Sequence, residues 1–561
     1  MRTLSQRARA VALHLLAAAA IATALYPGLR HAPVAVDEGL YHFVTRQLQG
    51  WLAELVNQPG FAVSEPGIQR YWSFNHEHPA LPKLLAAGSN VLLGGRIDPI
   101  AALRFGNVGL AILLVFEIFH FTRRHFGSRA GLFAGGAVLL IPCLYGHACT
   151  LSMDFPVAAL GLLATTAFVR GTERPVWALA FGLYLGLAFN TKINAFFIPL
   201  PLIVWGLVYR RRQCAPNLFA LMLLAPALWW ATWPWLWHQT GSRILEYLKF
   251  HLHHQHHNLF YLGRFYDGSE IPLHYPLVYF LTAVPLSILL PALLSIGAAA
   301  LDLTRPKAQQ NPIVILLAAA AATPLLVAAF PGVPKYDGPR LFLNAFPPLA
   351  CLAGVGSASW MASLERLSRR LRPIPAGAAA WGLGALLLLP AAASSWRIHP
   401  FQAFSFYNLL VGGPSGAFAL GLSPVHWGMA PRSAVDYLNR NARPGDALYD
   451  NTGAVVPLQA YMAAGKLRQD LRFDPHPDWV VLEYNLEYSK WSDWWLFYED
   501  RQPWFRRVLQ VRADGVPVLG VFRARSQPLR DASGAIPPAL VTPKPNPARV
   551  GAESGIESSH R

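Results

Sequence analysis

Long apolar runs separated by short charged segments form the main pattern of this chain. A helix needs about 20 apolar residues to cross the hydrocarbon core of a bilayer, and many of the runs approach that length. They predict about eleven spans, at residues 11–30, 100–121, 130–148, 154–170, 175–190, 192–209, 217–236, 275–300, 312–330, 340–361 and 376–396. The pattern therefore indicates an all-α polytopic membrane protein rather than a large soluble protein with buried helices.

The charges between the runs predict how the chain is oriented. If the N-terminus is cytoplasmic, every inner loop is basic, as the positive-inside rule expects. These loops hold Arg123, Arg124 and Arg129, then Arg170 and Arg174, then Arg210, Arg211 and Arg212, then Arg305 and Lys307, then Arg366, Arg369, Arg370 and Arg372. We expect a multi-pass protein of the cytoplasmic (inner) membrane, with the candidate active site and the C-terminus on the extracytoplasmic side.

Composition supports this interpretation. The chain has 561 residues, of which 53% are hydrophobic and 14% charged, against about 25% charged residues in soluble domains. The formal net charge of +17 does not indicate a nucleic-acid partner, because the basic residues lie in short clusters between apolar runs. The first 30 residues resemble a signal peptide without a clear cleavage site, so we interpret them as an uncleaved first helix. The four cysteines have no disulfide or zinc spacing.

The pattern divides the chain into five parts. Residues 1–30 form the first transmembrane helix, 31–99 the first outer loop, and 100–429 the multi-span domain with its outer loops. Residues 430–525 predict a small extracytoplasmic α/β domain, with strands at 447–450 and 479–483 and a hairpin from Val508 to Arg525. The Asp514-Gly515 pair suits its tight turn. The Pro-, Ser- and Gly-rich residues 526–561 are expected to be disordered.

Ionisable residues near membrane depth are candidates for function, and those of this chain gather on the predicted outer side. They are Asp37, Glu38, Glu77, His78, Lys83, Asp154, Lys335, Asp337 and Arg340, with a histidine-rich stretch at 251–257. A carboxylate can act as general base toward a hydroxyl, and cations can neutralise a departing phosphate. Other interpretations stay open: Asp37 and Glu38 as solvated loop charges, Arg340 as an interfacial anchor, and Asp154 as a helix cap.

Several of these residues lie in longer motifs. The motifs are Val36-Asp37-Glu38-Gly39-Leu40-Tyr41, His78-Pro79-Ala80-Leu81-Pro82-Lys83, Ser152-Met153-Asp154-Phe155-Pro156 and Asp337-Gly338-Pro339-Arg340. Together they resemble the GT-C superfamily of membrane glycosyltransferases, in particular the bacterial type of the family 39 group of protein O-mannosyltransferases and aminoarabinose transferases. The resemblance covers roughly residues 30–430. One position departs from it, because some relatives have Asp-Trp-Gly where this chain has His426-Trp427-Gly428.

The resemblance implies a GT-C-like fold and a hexosyl or pentosyl transferase that takes a polyprenyl-phosphate monosaccharide and inverts the anomeric centre. Asp37 would be the base, Glu38 would orient it or help hold an acceptor or metal, and Asp154 would complete the acidic side. The donor phosphate would be bound by His78, Lys83, Arg340 and Lys335. The acceptor would be a lipid, a glycan or a protein.

A divalent cation, Mg²⁺, Mn²⁺ or Zn²⁺, is also implied as a possible cofactor, with Asp37, Asp154 and Glu77 as its possible ligands. The stretch at 251–257 is expected to belong to an amphipathic interfacial helix rather than to a zinc site. Three rival functions remain at this point. They are a transporter or flippase for lipid-linked sugars, a glycan ligase or polymerase, and a noncatalytic scaffold.

Overall fold

The computed structural model describes residues 4–371, 376–450, 455–474, 477–485 and 505–524. Its α-helices are α1 Leu4–His31, α2 Val36–Asn57, α3 Pro59–Ala62, α4 Glu65–Trp72, α5 Leu81–Leu93, α6 Pro99–Arg104, α7 Gly106–Phe126, α8 Ser128–Val138, α9 Pro142–Ala148, α10 Asp154–Glu173, α11 Trp177–Phe189, α12 Pro199–Tyr209, α13 Ala215–Phe219, α14 Ala225–Ala231, α15 Thr240–Leu252, α16 Tyr275–Thr282, α17 Leu286–Leu303, α18 Pro312–Ala329, α19 Phe346–Leu371, α20 Ala376–Arg397, α21 Gly413–Ala419, α22 Arg432–Asn441 and α23 Val455–Ala463. Its strands are β1 Val34–Ala35, β2 Leu259–Tyr261, β3 Arg264–Tyr266, β4 Met429–Ala430, β5 Ala447–Asp450, β6 Arg472–Phe473, β7 Trp479–Glu483, β8 Phe505–Ala513 and β9 Val516–Ala524.

The predicted all-α membrane architecture is confirmed. Among the described residues, seven helices are long and apolar enough to cross a membrane, or eight if the bent pair α8–α9 forms one span. Each of the eleven predicted runs contains helix, but several of these helices are shorter than a full span, including α11 and the segments Ile193–Tyr209 and Ala215–Ala231. The run at 130–148 bends by 63° between α8 and α9, where Pro142 begins the second helix and cannot continue the first.

Helix α10 lies at the centre of the bundle. In its most apolar stretch of 18 residues, 94% of the residues are buried inside the protein. This is expected for a helix that is hydrophobic on every face. It packs against α7, α11 and the 3₁₀ segment Gly338–Ala345 that precedes α19. Because α10 begins with Asp154, this packing holds a carboxylate at one end of the bundle core.

The predicted inner loops lie together on one face of the bundle. Arg124 pairs with Glu173, and Arg129 pairs with Glu365, each at 2.6 Å. These contacts join loops that are distant in sequence, and they lie at the opposite end of α10 from Asp154. The structure therefore separates the basic loops from the candidate site residues, as the charge pattern predicts.

The first outer segment is more helical than the sequence pattern indicated. Asp37 and Glu38 lie in the first turn of α2, where a carboxylate suits the positive end of the helix dipole. The chain just before α2 forms strand β1, which pairs antiparallel with β4 through Val34–Ala430 and Ala35–Met429. The residues before Asp37 are thereby joined to the residues after Trp427.

The C-terminal part contains the predicted sheet. Its strand order is β6-β5-β7-β9-β8, with β5 parallel to β6 and β7, and β9 antiparallel to β7 and β8. The predicted hairpin is present as β8 and β9, and both residues of its turn, Asp514 and Gly515, have positive φ. The predicted disordered tail at 526–561 lies outside the described residues.

Candidate functional site

A cavity of about 690 Å³ opens at the end of the bundle that holds Asp154, beside the predicted first outer segment. Its polar end is lined by Asp37, Tyr41, His78, Asp154, Lys192, His251, His254, His257, Tyr336, Asp337, Arg340 and Trp427. These residues come from α2, α10, α15 with the loop after it, the loops that hold His78 and Lys192, the 3₁₀ segment Gly338–Ala345 with the residues just before it, and the segment before β4. Folding thus brings together Asp37 and Trp427, which lie nearly 400 positions apart in the sequence.

Arg340 connects the acidic residues at this end. One of its terminal nitrogens lies 2.7 Å from Asp37 Oδ2 and 4.0 Å from Asp154 Oδ2. The other lies 2.9 Å from Asp337 Oδ2. The guanidinium is always charged and presents a planar set of donors. A single cation therefore holds Asp37 and Asp154, two of the three predicted catalytic carboxylates, on one wall of the cavity.

The backbone around Asp337 explains how Arg340 reaches this position. Asp337 and Gly338 have φ of 54° and 58°, so the chain turns through two consecutive left-handed residues before the 3₁₀ segment. A Cβ at Gly338 would lie 2.9 Å from the ring of His426, and glycine avoids that clash. The amide of Gly338 donates to the Tyr275 hydroxyl at 2.9 Å. The tight turn aims Arg340 back into the cavity.

Trp427 and Lys192 are site residues that the sequence analysis did not select. Trp427 Nε1 donates to Asp37 Oδ2 at 2.9 Å, and its ring lies 4.8 Å from the Arg340 guanidinium carbon. Lys192 Nζ lies 2.5 Å from Asp154 Oδ1. The sequence feature that could have identified Lys192 is its position at the tight junction of two apolar runs. For Trp427 it was the His426-Trp427-Gly428 segment itself.

Electrostatics favour a charged Asp37 and neutral His78 and His251 at the polar end. Burial alone would raise the pKa of Asp37, but the Arg340 charge and hydrogen bonds from Arg340 and Trp427 lower it to about 2. Burial, with the nearby Lys83 charge, lowers the pKa of His78 to about 3. Burial also lowers the pKa of His251 to about 4. Near pH 7 the Asp37 carboxylate is therefore ionised and both imidazoles are neutral.

The remaining predicted site residues lie behind the cavity wall. Glu38 is fully buried against Arg104. Lys83 Nζ donates to the carbonyls of Asn75 and His78, at 2.9 and 2.7 Å, and so supports the loop that carries His78. Lys335 Nζ donates to carbonyls near the end of α18. The phosphate-binding roles of these two lysines and the catalytic role of Glu38 stay predictions, and this placement does not favour direct contact with a substrate.

The histidine stretch lies at the edge of the cavity. Helix α15 ends at Leu252, so His251 belongs to the amphipathic helix and His254 and His257 to the loop after it. The ring of His254 stacks on Tyr336, with centroids 5.8 Å apart. His78 Nδ1 and His251 Nε2 are buried without a hydrogen-bond partner among the described residues. These nitrogens offer polar contacts to whatever fills the cavity.

The geometry of the carboxylates does not fit the predicted divalent cation. Asp37 and Asp154 are paired with Arg340 and Lys192, whose positive charges occupy the place that a cation would take. Glu77 instead accepts a hydrogen bond from the Asn75 side chain. No group of three or more His, Cys, Asp or Glu side chains suited to a metal occurs in the part of the chain that the structure describes. Metal use stays an untested prediction, and the chemistry proposed below does not depend on it.

The other end of the cavity is apolar. It is lined by Phe197, Ile198, Pro201, Ala320, Pro324, Val327 and Ala328. These residues belong to the segment Ile193–Tyr209 and to α18, which pack against each other. Such a mainly apolar surface suits a hydrocarbon chain. The cavity is therefore amphipathic, with charged groups at one end and a groove between helices at the other.

Comparison with known proteins bears on this site. Residues 77–237 match the family model described as dolichyl-phosphate-mannose-protein mannosyltransferase. The predicted resemblance to GT-C membrane glycosyltransferases is confirmed. The matched segment includes His78, Asp154 and Lys192, whereas Asp37 and Arg340 lie outside it. A search among curated proteins found no match.

Three solved structures are similar to this chain. ArnT from Cupriavidus metallidurans bound to undecaprenyl phosphate is 16% identical, over 91% of this chain and 97% of that one, with a TM-score of 0.49. The apo state of the same protein is 15% identical, over 92% and 98%, with a TM-score of 0.49. The Archaeoglobus fulgidus oligosaccharyltransferase in complex with Zn and sulfate is 11% identical, over 83% and 62%, with a TM-score of 0.45.

Proposed function

We propose that the protein transfers a monosaccharide from a polyprenyl-phosphate donor to an acceptor hydroxyl on the extracytoplasmic side of the inner membrane, with inversion. The observation that carries this proposal is the amphipathic cavity, in which Asp37, Asp154 and Arg340 meet at the polar end. A donor of this class has a charged phosphate-sugar head and a long hydrocarbon tail. The matched family model, described by a dolichyl-phosphate-linked sugar, supports the same donor class.

The donor would lie along the cavity with its two chemical halves separated. The prenyl chain would occupy the apolar groove beside α18, and the phosphate would approach Arg340 and Lys192. Both cations lie in a largely buried setting, where their attraction for a phosphate is stronger than in water. Their charge stabilises the negative charge that grows on the phosphate as the sugar leaves.

Asp37 would remove the proton of the acceptor hydroxyl. The acceptor oxygen then forms a bond to the anomeric carbon while the bond from that carbon to the phosphate oxygen breaks. The bonding electrons leave with polyprenyl phosphate, and the proton remains on Asp37 until it passes to solvent. Because the two oxygens lie on opposite sides of the carbon, a single displacement inverts the anomeric centre.

Binding of the donor would also activate Asp37. A carboxylate with a pKa of about 2 is a weak base at neutral pH. The donor phosphate competes with Asp37 for Arg340, and a carboxylate that loses a cationic partner becomes more basic. This exchange favours binding of the donor before proton removal.

The test compares wild type with Asp37→Asn in proteoliposomes that contain a panel of polyprenyl-phosphate sugars and candidate acceptors. Asp436→Asn serves as the matched control, because Asp436 is exposed on α22. We expect wild type and the control to release polyprenyl phosphate, and Asp37→Asn to lose release roughly 100-fold or more, as for loss of a general base. Equal release by all three proteins would remove Asp37 from the mechanism. Absence of release from folded wild type would favour a flippase or a glycan ligase.

A further inference from the structure

An ion pair between Glu38 and Arg104 lies in the protein interior beside the cavity. Both side chains are fully buried. Arg104 Nε and Nη2 donate to the two oxygens of Glu38, at 2.6 and 2.7 Å, in the bidentate geometry that suits a guanidinium and a carboxylate. Burial of two charges is costly, and such a pair is often no more stabilising than apolar residues of the same size. The pair therefore calls for an explanation other than stability.

The remaining hydrogen bonds of Arg104 reach the end of α1 and the turn before Asp37. Nη1 donates to the carbonyls of Leu29 and Ala32, at 2.9 and 3.0 Å. Nη2 also donates to the carbonyl of Pro33 at 3.0 Å. A guanidinium has five N–H donors, and these bonds together with those to Glu38 engage each of them. Arg104 thus fixes the backbone that leads into the first turn of α2.

The remaining hydrogen bonds of Glu38 reach the second acidic site. Its Oε1 accepts from the amide of Leu151 at 2.8 Å, three residues before Asp154. Its Oε2 accepts from the amide of Ala35 at 3.3 Å, two residues before Asp37. One buried carboxylate is therefore bonded to both segments that end in a cavity carboxylate.

We infer that the Glu38–Arg104 pair is a positioning element that sets the spacing of Asp37 and Asp154 at the polar end of the cavity. Neither member lines the cavity, so both act through the backbone and not on the substrate. The inference rests on the proposed function for its effect on rate, but its structural part stands on the hydrogen bonds alone. It assigns Glu38 and Arg104 a shared positioning role. The sequence analysis grouped Glu38 with the catalytic carboxylates and did not select Arg104.

The test uses Glu38→Asp and Arg104→Lys, which keep both charges and disturb only the geometry. Glu117→Asp is the matched control. It shortens the carboxylate side chain in another ion pair of the bundle, Glu117 with Arg170 at 2.7 Å. Arg170 lies sixteen residues along α10 from Asp154, about 24 Å at 1.5 Å per residue. For each folded variant, kcat, the donor KM, the thermal midpoint and amide hydrogen exchange are measured.

We expect kcat of the two site variants to fall roughly 100-fold with an unchanged donor KM, because an error of about 1 Å in position can cost that much. Amide exchange should rise together in segments 34–41 and 149–155, and neither change should occur in Glu117→Asp. Exchange that rises in only one segment, or kcat near the wild-type value, would overturn the inference. If wild type releases no polyprenyl phosphate, the proposed function fails, and exchange alone still decides whether the pair joins the two segments.

Discussion

Arg340 contacts three carboxylates at the polar end of the cavity, and its Nε is buried without a hydrogen-bond partner in the described part of the chain. Its bond to Asp37 is charge-assisted and lies beside the Trp427 ring. An arginine in this setting can exchange one carboxylate for a phosphate without losing all of its partners. The Arg340 side chain therefore links the three carboxylates of Asp37, Asp154 and Asp337.

The lowered pKa of Asp37 predicts how acid affects stability. An unfolded aspartate has a pKa of about 3.9, whereas the folded value is about 2. The stability from ionised Asp37 is present above pH 4 and is lost as pH falls toward 2. We expect the thermal midpoint of wild type to exceed that of Asp37→Asn above pH 4, and the difference to shrink between pH 4 and 2.

This measurement follows tryptophan fluorescence of detergent-solubilised protein during heating, at several pH values. Asp436→Asn on the exposed side of α22 controls for removal of one carboxylate. A difference between wild type and Asp37→Asn that stays constant from pH 5 to 2 would contradict the lowered pKa.

The sequence predicted some site residues and missed others for physical reasons. Asp37, Asp154 and Arg340 were selected because charges near membrane depth are costly, and the structure brings all three together. The same reasoning could not tell which side of α2 faces the cavity, so Glu38 was selected with Asp37. Lys192 was not selected, and its position between two apolar runs does not by itself separate a site residue from a simple surface anchor.

At the scale of the helices, close packing between α17 and α19 restricts which side chain can stand at Gly356. A Cβ at Gly356 of α19 would lie 1.9 Å from the carbonyl oxygen of Pro291 in α17. Small residues allow membrane helices to approach this closely. The carbonyl belongs to the backbone and cannot rotate away, so a side chain at this position must separate the two helices.

Gly356→Val is therefore expected to destabilise the bundle by more than the roughly 1–3 kcal/mol typical of an overpacked core. Gly382→Val in α20 is the matched control, because a Cβ there meets nothing within 4 Å. The measurement is the thermal midpoint and the yield of monodisperse protein in detergent. Equal values for the two variants would show that α17 and α19 are farther apart than described.

Most membrane-spanning helices could be predicted from the apolar runs, because a helix that crosses a bilayer needs a long stretch of apolar residues. Two features did not follow. The bend between α8 and α9 depends on how the chain repacks around Pro142, and α2 lies in a segment whose mixed composition resembled a loop. Hydropathy reports where the chain is apolar, but it does not report where a helix breaks or where a polar segment folds.

At the scale of the whole molecule, the charges are divided between two faces. The basic loops meet one another through pairs such as Arg124–Glu173 and Arg129–Glu365. The cavity carboxylates lie at the other end of α10. The positive-inside rule predicts that the basic face lies in the cytoplasm, and the proposed side of transfer depends on this prediction.

Cysteine labelling tests that orientation. The four native cysteines are all buried, so they should give little background. Asp267→Cys and Arg211→Cys introduce a thiol at exposed positions near the cavity face and on the basic face. A membrane-impermeant maleimide should label the first variant in intact cells, and the second only after the membrane is permeabilised. The reverse pattern would place the cavity in the cytoplasm.

The groove between the segment Ile193–Tyr209 and α18 has a consequence for how the rate should be expressed. A donor that reaches the cavity through this groove comes from the surrounding leaflet and not from water. The protein then responds to the mole fraction of donor among the lipids. Added inert phospholipid would slow transfer at a fixed total amount of donor, whereas dilution of the same vesicles with buffer would leave the turnover per protein unchanged.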